Sequence, residues 1–477
     1  MTRTRILPRL MATLLIVGSA APAFAQQAAT PPAATWLKMS DAERRATDEL
    51  ARDYMRFLKD AKIPLQRARY LTAQLAKGGF KPFGASSGWQ PGAKYVLVNR
   101  DRALMAVVVG KKPLKEGVRL IGAHLDSPRL DLRLKPLKSV EGFGMLKTQP
   151  YGGIKRYQWS NLPLALVGQV ARKDGKLVDV SVGMQPGDPV FILPDLAPHV
   201  DKEFRGRSAE DVFKGEELST IAASLPDGSG DLKKAVMAEL NRRYGLEEED
   251  FISSELALVP AQEPREVGLD RMLIGSYGQD DALCSFIGLN ALQNLKATPE
   301  YTSIVYLVDH EEVGNTNTTG VRSRFFVSAL ERFAGRELGR EASSEYLSTL
   351  LENSEALSAD VSQAINPNFP STEDPHNTAR MGQGFTLKTM KPGFDASPAL
   401  RARLRRTLGD QRIPWQTYAY KVDGGGGATI GAQLQELNMD VVDVGAPLLA
   451  MHGTFELSSK ADLHSLNRFF DAFFATP

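Results

Sequence analysis

The stretch Ile304-Val305-Tyr306-Leu307-Val308-Asp309-His310-Glu311-Glu312-Val313-Gly314-Asn315 constrains the fold more than any other. An apolar, β-branched run of strand length stops abruptly at four charged or titratable residues, with a glycine soon after. A parallel strand buried on both faces reads as continuous apolar sequence. Ligands of open α/β sheets gather just outside the carboxyl ends of such strands. Two adjacent glutamates there repel each other and resist desolvation unless a cation compensates. One could bind a metal while the other acts as a base. A solvated acidic turn would have the same sequence, so the pair gains meaning only from partners elsewhere in the chain.

The 477 residues are too many for a single compact core and call for two domains. The net charge of +2 offers no field for nucleic acid or an anionic membrane. Arg3, Arg5 and Arg9 precede the apolar run Leu10 to Gly18, and Ala23-Phe24-Ala25 has the small-x-small form of a signal-peptidase site. Residues 1–25 therefore read as a secretory signal peptide cleaved before Gln26, which implies a periplasmic or secreted protein. The run is too short for a membrane span, and small residues break it, which opposes an uncleaved anchor. Residues 26–37 read as an Ala/Pro/Gln-rich linker. The single cysteine, Cys284, cannot form an intramolecular disulfide, and its apolar neighbours mark a buried thiol rather than a nucleophile.

Ser40-Asp41-Ala42-Glu43 fits a capping box, and the apolar spacing after it predicts a helix. A second helix is predicted from Gln66 to Lys77. Strands are predicted at Tyr95 to Val98, Ala103 to Val109 and Val118 to Ala123, the last ending in His124-Leu125-Asp126-Ser127. From Leu134 the character changes to glycine-rich turns and short β-like runs, Leu164 to Val170 and Leu177 to Val182, then a charged helical or loop-like stretch from Asp201 to Asp250. This segment, 134–255, reads as a β-rich second domain inserted into a first domain made of 38–133 and 256–477. In that first domain Leu283, Ile287, Ala291 and Leu295 predict a helix beginning at Asp280-Asp281. Phe325 to Ser354 is mostly helical, Asp440 to Val444 is strand-like, and Asp462 to Phe474 is a closing amphipathic helix. The pattern is α/β: a central mixed, mainly parallel sheet flanked by helices.

His124, Asp126, Asp280, Glu311, Glu312, Asp360 and His452 form one set, most of them where an apolar run gives way to a loop. Imidazole and carboxylate donors without thiolates suit zinc in a catalytic site, or manganese or cobalt. Five ligands with one shared carboxylate are too many for one tetrahedral ion and suit two. A pair of ions can activate a water for hydrolysis, and a carboxylate outside the ligand shell must then move the proton.

The motifs Gly122-Ala123-His124-Leu125-Asp126-Ser127-Pro128, Gln279-Asp280-Asp281, Asp309-His310-Glu311-Glu312-Val313-Gly314, Ser358-Ala359-Asp360 and Met451-His452-Gly453-Thr454-Phe455-Glu456 resemble the aspartyl aminopeptidase family of dinuclear zinc exopeptidases. The resemblance implies that Asp280 bridges two ions, with His124 and Asp360 completing one site and Glu312 and His452 the other. It implies Glu311 as general base, Asp126 as the residue that orients His124, and Lys388, in a Gly-x-x-x-Lys pattern from Gly384, as partner of a substrate carboxylate. Peptide substrates and assembly into a homo-oligomer, a dodecamer in the family, are implied too. The chain departs from the family at Asp281, where Asn is usual, so that either member of the acid pair could bridge. It departs again at Gln363 and Asn366, where a His-x-x-His-Pro-Asn segment is expected. The substrate's first residue is therefore left open. Two rival readings keep the same site: a dinuclear metallo-deacylase of N-acyl amino acids, and a silent relative that binds peptides or serves as a scaffold.

Overall fold

Continuous apolar runs need cover on both faces, and the two strands that lead to the first site residues have it. Val118–His124 and Thr302–Val308 are buried at every position, and they pair in parallel with Val308 opposite His124. Glu355–Ala359 lies parallel on the other side of Val118–His124, and Asp440–Gly445 lies parallel beyond it. These four strands are the middle of a nine-stranded sheet, in a computed structural model that describes residues 35–388, 396–424, 426 and 429–476. Lys81–Pro82, Lys94–Asn99 and Ala103–Val108 extend the sheet beyond Thr302–Val308, and Phe385–Lys388 and Trp415–Tyr418 extend it beyond Asp440–Gly445. Ala103–Val108 runs against both its neighbours and Phe385–Lys388 against Asp440–Gly445, so the sheet is mixed and mainly parallel.

Alternate residues of each strand face opposite cores. Ile121, Val305 and Leu357 pack under helices Asp41–Asp60, Pro64–Lys77, Gln279–Gln293, Pro398–Asp410 and Lys460–Ala475. Leu120, Ile304 and Ala356 pack under Phe325–Leu338, Ser344–Glu352 and Gly431–Gln435. Lys460–Ala475 is held by its aromatic face, with Phe469 stacked 4.4 Å from Phe385.

A six-stranded antiparallel sheet stands apart with its own core around Trp159, Leu166 and Val259. Its order is Leu177–Val182, Leu164–Ala171, Ser254–Pro260, Arg129–Val140, Phe143–Tyr151 and Ser219–Ala223. The sheet starts at Arg129 and ends at Pro260, a few residues either side of the 134–255 segment. A third sheet of five short strands, Arg265–Val267, Leu273–Ser276, Glu456–Ser459, Pro447–Leu449 and Ser362–Gln363, sits at the carboxyl edge of the large one.

Several local expectations change. The mostly helical stretch from Phe325 to Ser354 is present as two helices: Gly339 takes a left-handed conformation (φ +66) that ends the first, and Ser343 caps the second. The charged stretch from Asp201 to Asp250 contains the strand Ser219–Ala223 and the helix Leu232–Tyr244. Asp280 and Asp281 have non-helical torsions, so the regular helix begins after the acid pair rather than at it. The leader at 1–25 and most of the 26–37 linker lie outside the described residues. The linker's last residues are not extended: Thr35–Lys38 is a 3-10 turn, anchored by Thr35 N–H on Gly382 O at 2.8 Å.

Candidate metal centre

Three neighbouring parallel strands deliver three of the site segments to one edge of the sheet. His124 is the last residue of Val118–His124, Asp360 follows Glu355–Ala359, and Glu311-Glu312 follow Thr302–Val308. A left-handed turn at His310 (φ +64) folds the acid pair into the 3-10 turn Glu311–Val313, back over the strand end. Asp280 enters from the start of Gln279–Gln293, and His452 from the turn between the short strands Pro447–Leu449 and Glu456–Ser459. Gly445 lets the Asp360 segment come close, since a Cβ there would lie 1.6 Å from Asp360 O.

Asp280 lies between the two imidazoles. Its Oδ1 is 3.3 Å from His124 Nε2 and its Oδ2 is 3.2 Å from His452 Nε2. Glu312 Oε1 stands 3.3 Å from His452 Nε2, and Asp360 Oδ1 stands 3.9 Å from His124 Nε2. The donor atoms of His124, Asp280 and Glu312 fall within 4.8 Å of one another, as do those of His124, Asp281 and Asp360. Both rings present Nε2 for a reason. His124 Nδ1–H donates to Asp126 O (3.1 Å) and faces Asp126 Oδ1 (3.4 Å), while His452 Nδ1–H donates to Gly153 O (2.9 Å). The proton held on Nδ1 leaves the Nε2 lone pair free for a ligand.

The electrostatics call for a cation. Burial pushes Glu312 and Asp360 above the usual carboxylate range, and neighbouring acids push them further. Burial alone would lower both histidines, yet Asp126 and Asp280 hold His124 well above its ordinary value, and Asp280 and Glu312 push His452 up to about 10. Asp280 Oδ1 and Glu312 Oε1 are buried without a hydrogen-bond donor, an arrangement a native interior rarely keeps unless an ion fills the gap. Imidazole and carboxylate oxygens without sulfur fit zinc, manganese or cobalt. The residues therefore fit a metal centre.

Glu311 joins neither donor group among the described residues. Burial pushes its carboxyl up to about 8, with Asp360, Asp126 and Asp280 acting in the same sense and His124 against. Asp126 is fully buried, but contacts from His124, Tyr151 and the Glu312 backbone hold it well below the carboxylate range. Asp281 is buried too; its Oδ2 accepts from His124 N–H and its Oδ1 from Cys284 N–H, both at 3.4 Å. Unlike Asp280 it faces one imidazole of the pair. Lys388 is only 7% exposed, and its Nζ donates to Val361 O at 2.8 Å, next to Asp360 in the chain. There it braces the segment that carries Asp360.

Sequence reasoning gave no role to four residues that hold the centre. Glu456 is 1% exposed and accepts from the backbone N–H of Gln279 (2.6 Å), Asp280 (3.2 Å) and His452 (2.8 Å), joining the two metal-facing turns. Its position four residues after His452 was the available signal. Tyr151 and Gly153 reach in from the six-stranded sheet, where the sequence showed only a glycine-rich turn. Arg67, fully buried, donates to Leu125 O, Ser127 Oγ and Gly278 O, fixing the backbone around both Asp126 and Asp280.

Comparison with known proteins points to a family of zinc metalloproteases. The family model described as Aminopeptidase I zinc metalloprotease (M18) matches residues 57–474. A probable M18 family aminopeptidase 1 of Thermotoga maritima is 40% identical over 432 residues, 88% of this chain and 94% of that protein. One from Clostridium acetobutylicum is 38% identical over 92% of this chain and 97% of its own. The crystal structure of a Thermotoga maritima M18 family aminopeptidase superposes with a TM-score of 0.88 at 37% identity, covering 93% of this chain and 99% of that one. The S. cerevesiae mApe1 dodecamer, at 23% identity and a TM-score of 0.75 over 91% of this chain and 97% of that one, has the same fold. Neither the deacylase nor the silent-scaffold reading finds support among these relatives.

Proposed function

Because the chain belongs to the M18 aminopeptidase I zinc metalloprotease family and is a zinc aminopeptidase, we propose that two zinc ions lie between His124, Asp280, Glu312, Asp360 and His452. The observation that carries this reading is the Asp280 carboxylate, with one oxygen 3.3 Å from His124 Nε2 and the other 3.2 Å from His452 Nε2. A carboxylate placed in this way could be shared between two ions, which favours Asp280 over Asp281; His124 and Asp360 would hold one ion, and Glu312 and His452 the other. Bound zinc supplies Lewis-acid charge that polarises a peptide carbonyl and acidifies water.

The chain's own groups do the rest. Glu311 takes the proton of the attacking water on its carboxylate and returns it to the leaving amine; belonging to neither donor group, its carboxylate is left free for both transfers. Asp126 keeps the His124 proton on Nδ1, and Gly153 O does the same for His452. The substrate is a peptide with a free N-terminus, and no preference for its first residue is assigned.

Export and assembly belong to the same proposal. The arginine-flanked apolar run Leu10 to Gly18, followed by Ala23-Phe24-Ala25, supports a cleaved leader and a periplasmic or secreted enzyme. No helix among the described residues is long and apolar enough to cross a membrane. The dodecameric state of the yeast relative supports a homo-oligomer.

The test is a panel of aminoacyl and N-acyl amino acid substrates with zinc, manganese or cobalt, alongside elemental analysis of the purified protein. Aminoacyl substrates should be cleaved and about two zinc ions found per chain, as a co-catalytic site demands. Turnover of N-acyl amino acids alone, or full activity with a single ion, would reject this reading.

A further inference from the structure

The six-stranded sheet ends in the metal centre. Its strand Phe143–Tyr151 runs up to Tyr151, whose hydroxyl donates to Asp126 Oδ2 at 2.8 Å. Gly152 follows at φ +71, so close to the acid pair that a Cβ there would lie 3.2 Å from Glu312 Cβ. Gly153 O then receives the His452 Nδ1 proton. Three consecutive residues from one sheet thus meet side chains carried by two others.

Asp126 is the point where this contact matters. Its Oδ1 accepts from Glu311 N–H (3.1 Å) and faces His124 Nδ1 (3.4 Å); its Oδ2 accepts from Glu312 N–H (3.1 Å) and from Tyr151. One carboxylate therefore sets a metal-facing imidazole and the backbone of both glutamates. The Tyr151 ring is fixed in turn, with the Arg129 guanidinium 3.6 Å from its centroid and Arg129 Nε held on Asp131 Oδ1 at 2.7 Å. We propose that Tyr151 is a positioning residue for hydrolysis: its hydroxyl locks the Asp126 carboxylate, and through it the His124 ring and the Glu311-Glu312 turn. Without the hydroxyl, Oδ1 keeps Glu311 N–H and Oδ2 keeps Glu312 N–H, but the carboxylate loses its one side-chain hydroxyl donor and is held less firmly. Because His124 and Glu312 belong to the two different proposed zinc sites, that loosening disturbs both.

The inference rests on the two-zinc reading, and the experiment separates the two. Tyr151→Phe keeps the ring and its stack with Arg129 and removes only the hydroxyl. Zinc affinity is measured by chelator competition, kcat and KM with an aminoacyl substrate, and the thermal midpoint on metal-free protein. Outer-shell partners of metal ligands typically contribute 10- to 100-fold. Tyr151 acts one bond further out, so zinc affinity and kcat should each fall about tenfold, with KM and the metal-free midpoint close to wild type. Wild-type zinc affinity and kcat in Y151F would overturn the inference. So would a fall matched by an equal loss of metal-free stability, since the hydroxyl would then merely brace the two sheets. Fewer than two zinc ions in the wild-type protein would instead sink the two-zinc reading.

Discussion

Glu311 and Glu312 are neighbours in the chain, yet their surroundings assign them different work. Glu312 Oε1 points at His452 and lacks a hydrogen-bond donor, as a ligand oxygen would. Glu311 belongs to neither donor group, which leaves its carboxylate free for the proposed proton transfer. Glu311→Gln keeps the shape and removes the proposed base. It should leave zinc content unchanged and lower kcat by roughly 10²–10⁴-fold, the usual contribution of a positioned base. Retained turnover with full zinc would move the proton transfer to another group. At this scale the sequence was readable wherever an acid or imidazole ended an apolar run, as His124, Glu311, Glu312 and Asp360 do. Glu456, Tyr151 and Gly153 were not, because each acts through a contact between different elements, from 25 residues away for Tyr151 and Asp126 to 299 for Gly153 and His452, and no local period encodes it.

Elements were legible in proportion to their apolar regularity. Thr302–Val308 and Leu177–Val182 start and stop where the pattern does, whereas Phe385–Lys388 and the short strands of the third sheet carry too few residues to show a period. The entry to Phe385–Lys388 is held instead by the first turn of Lys460–Ala475. Asp462 there accepts from Gly382 N–H and Gly384 N–H, both at 2.7 Å. Despite those bonds, burial pushes the Asp462 carboxyl up to about 7. A folded-state value above the unfolded one contributes stability that is fully present below the unfolded pKa and is lost as pH rises through about 7. Asp462→Asn removes this titration. Between pH 5 and 6.5 the wild type should therefore lose roughly 2 kcal/mol of unfolding free energy relative to D462N, at about 1.36 kcal/mol per pH unit. Urea titrations of both proteins at the two pH values provide the measurement. A constant difference would mean that the two backbone donors outweigh burial and keep Asp462 ionised.

At the scale of the whole molecule, the metal centre is where the three sheets meet. His124 and Glu312 come from the edge of the large sheet, and His452 from a turn between strands of the short one. The tip of the six-stranded sheet holds His452 through Gly153 and Asp126 through Tyr151. This convergence follows from topology: Thr302–Val308, Val118–His124 and Glu355–Ala359 are adjacent and parallel, so chain segments far apart in sequence finish side by side. The price is a knot of like charge, since Asp280, Asp281, Glu311, Glu312 and Asp360 are drawn together with two imidazoles. Removing zinc leaves those acids to repel or to take up protons, and the three sheets lose their common anchor. A ligand present at 1,000 times its Kd stabilises the folded state by about 4.1 kcal/mol. Chelation should accordingly lower the thermal midpoint by on the order of ten degrees, given roughly 2–4 °C per kcal/mol for domains of intermediate size. Added zinc should restore it. Loosening should concentrate where the sheets join, so limited proteolysis of the metal-free protein should cut first near Tyr151-Gly152-Gly153, a turn guarded by its contacts with Asp126 and His452. An unchanged midpoint and an unchanged cleavage pattern after complete chelation would mean that the packing of the sheets alone holds the centre together.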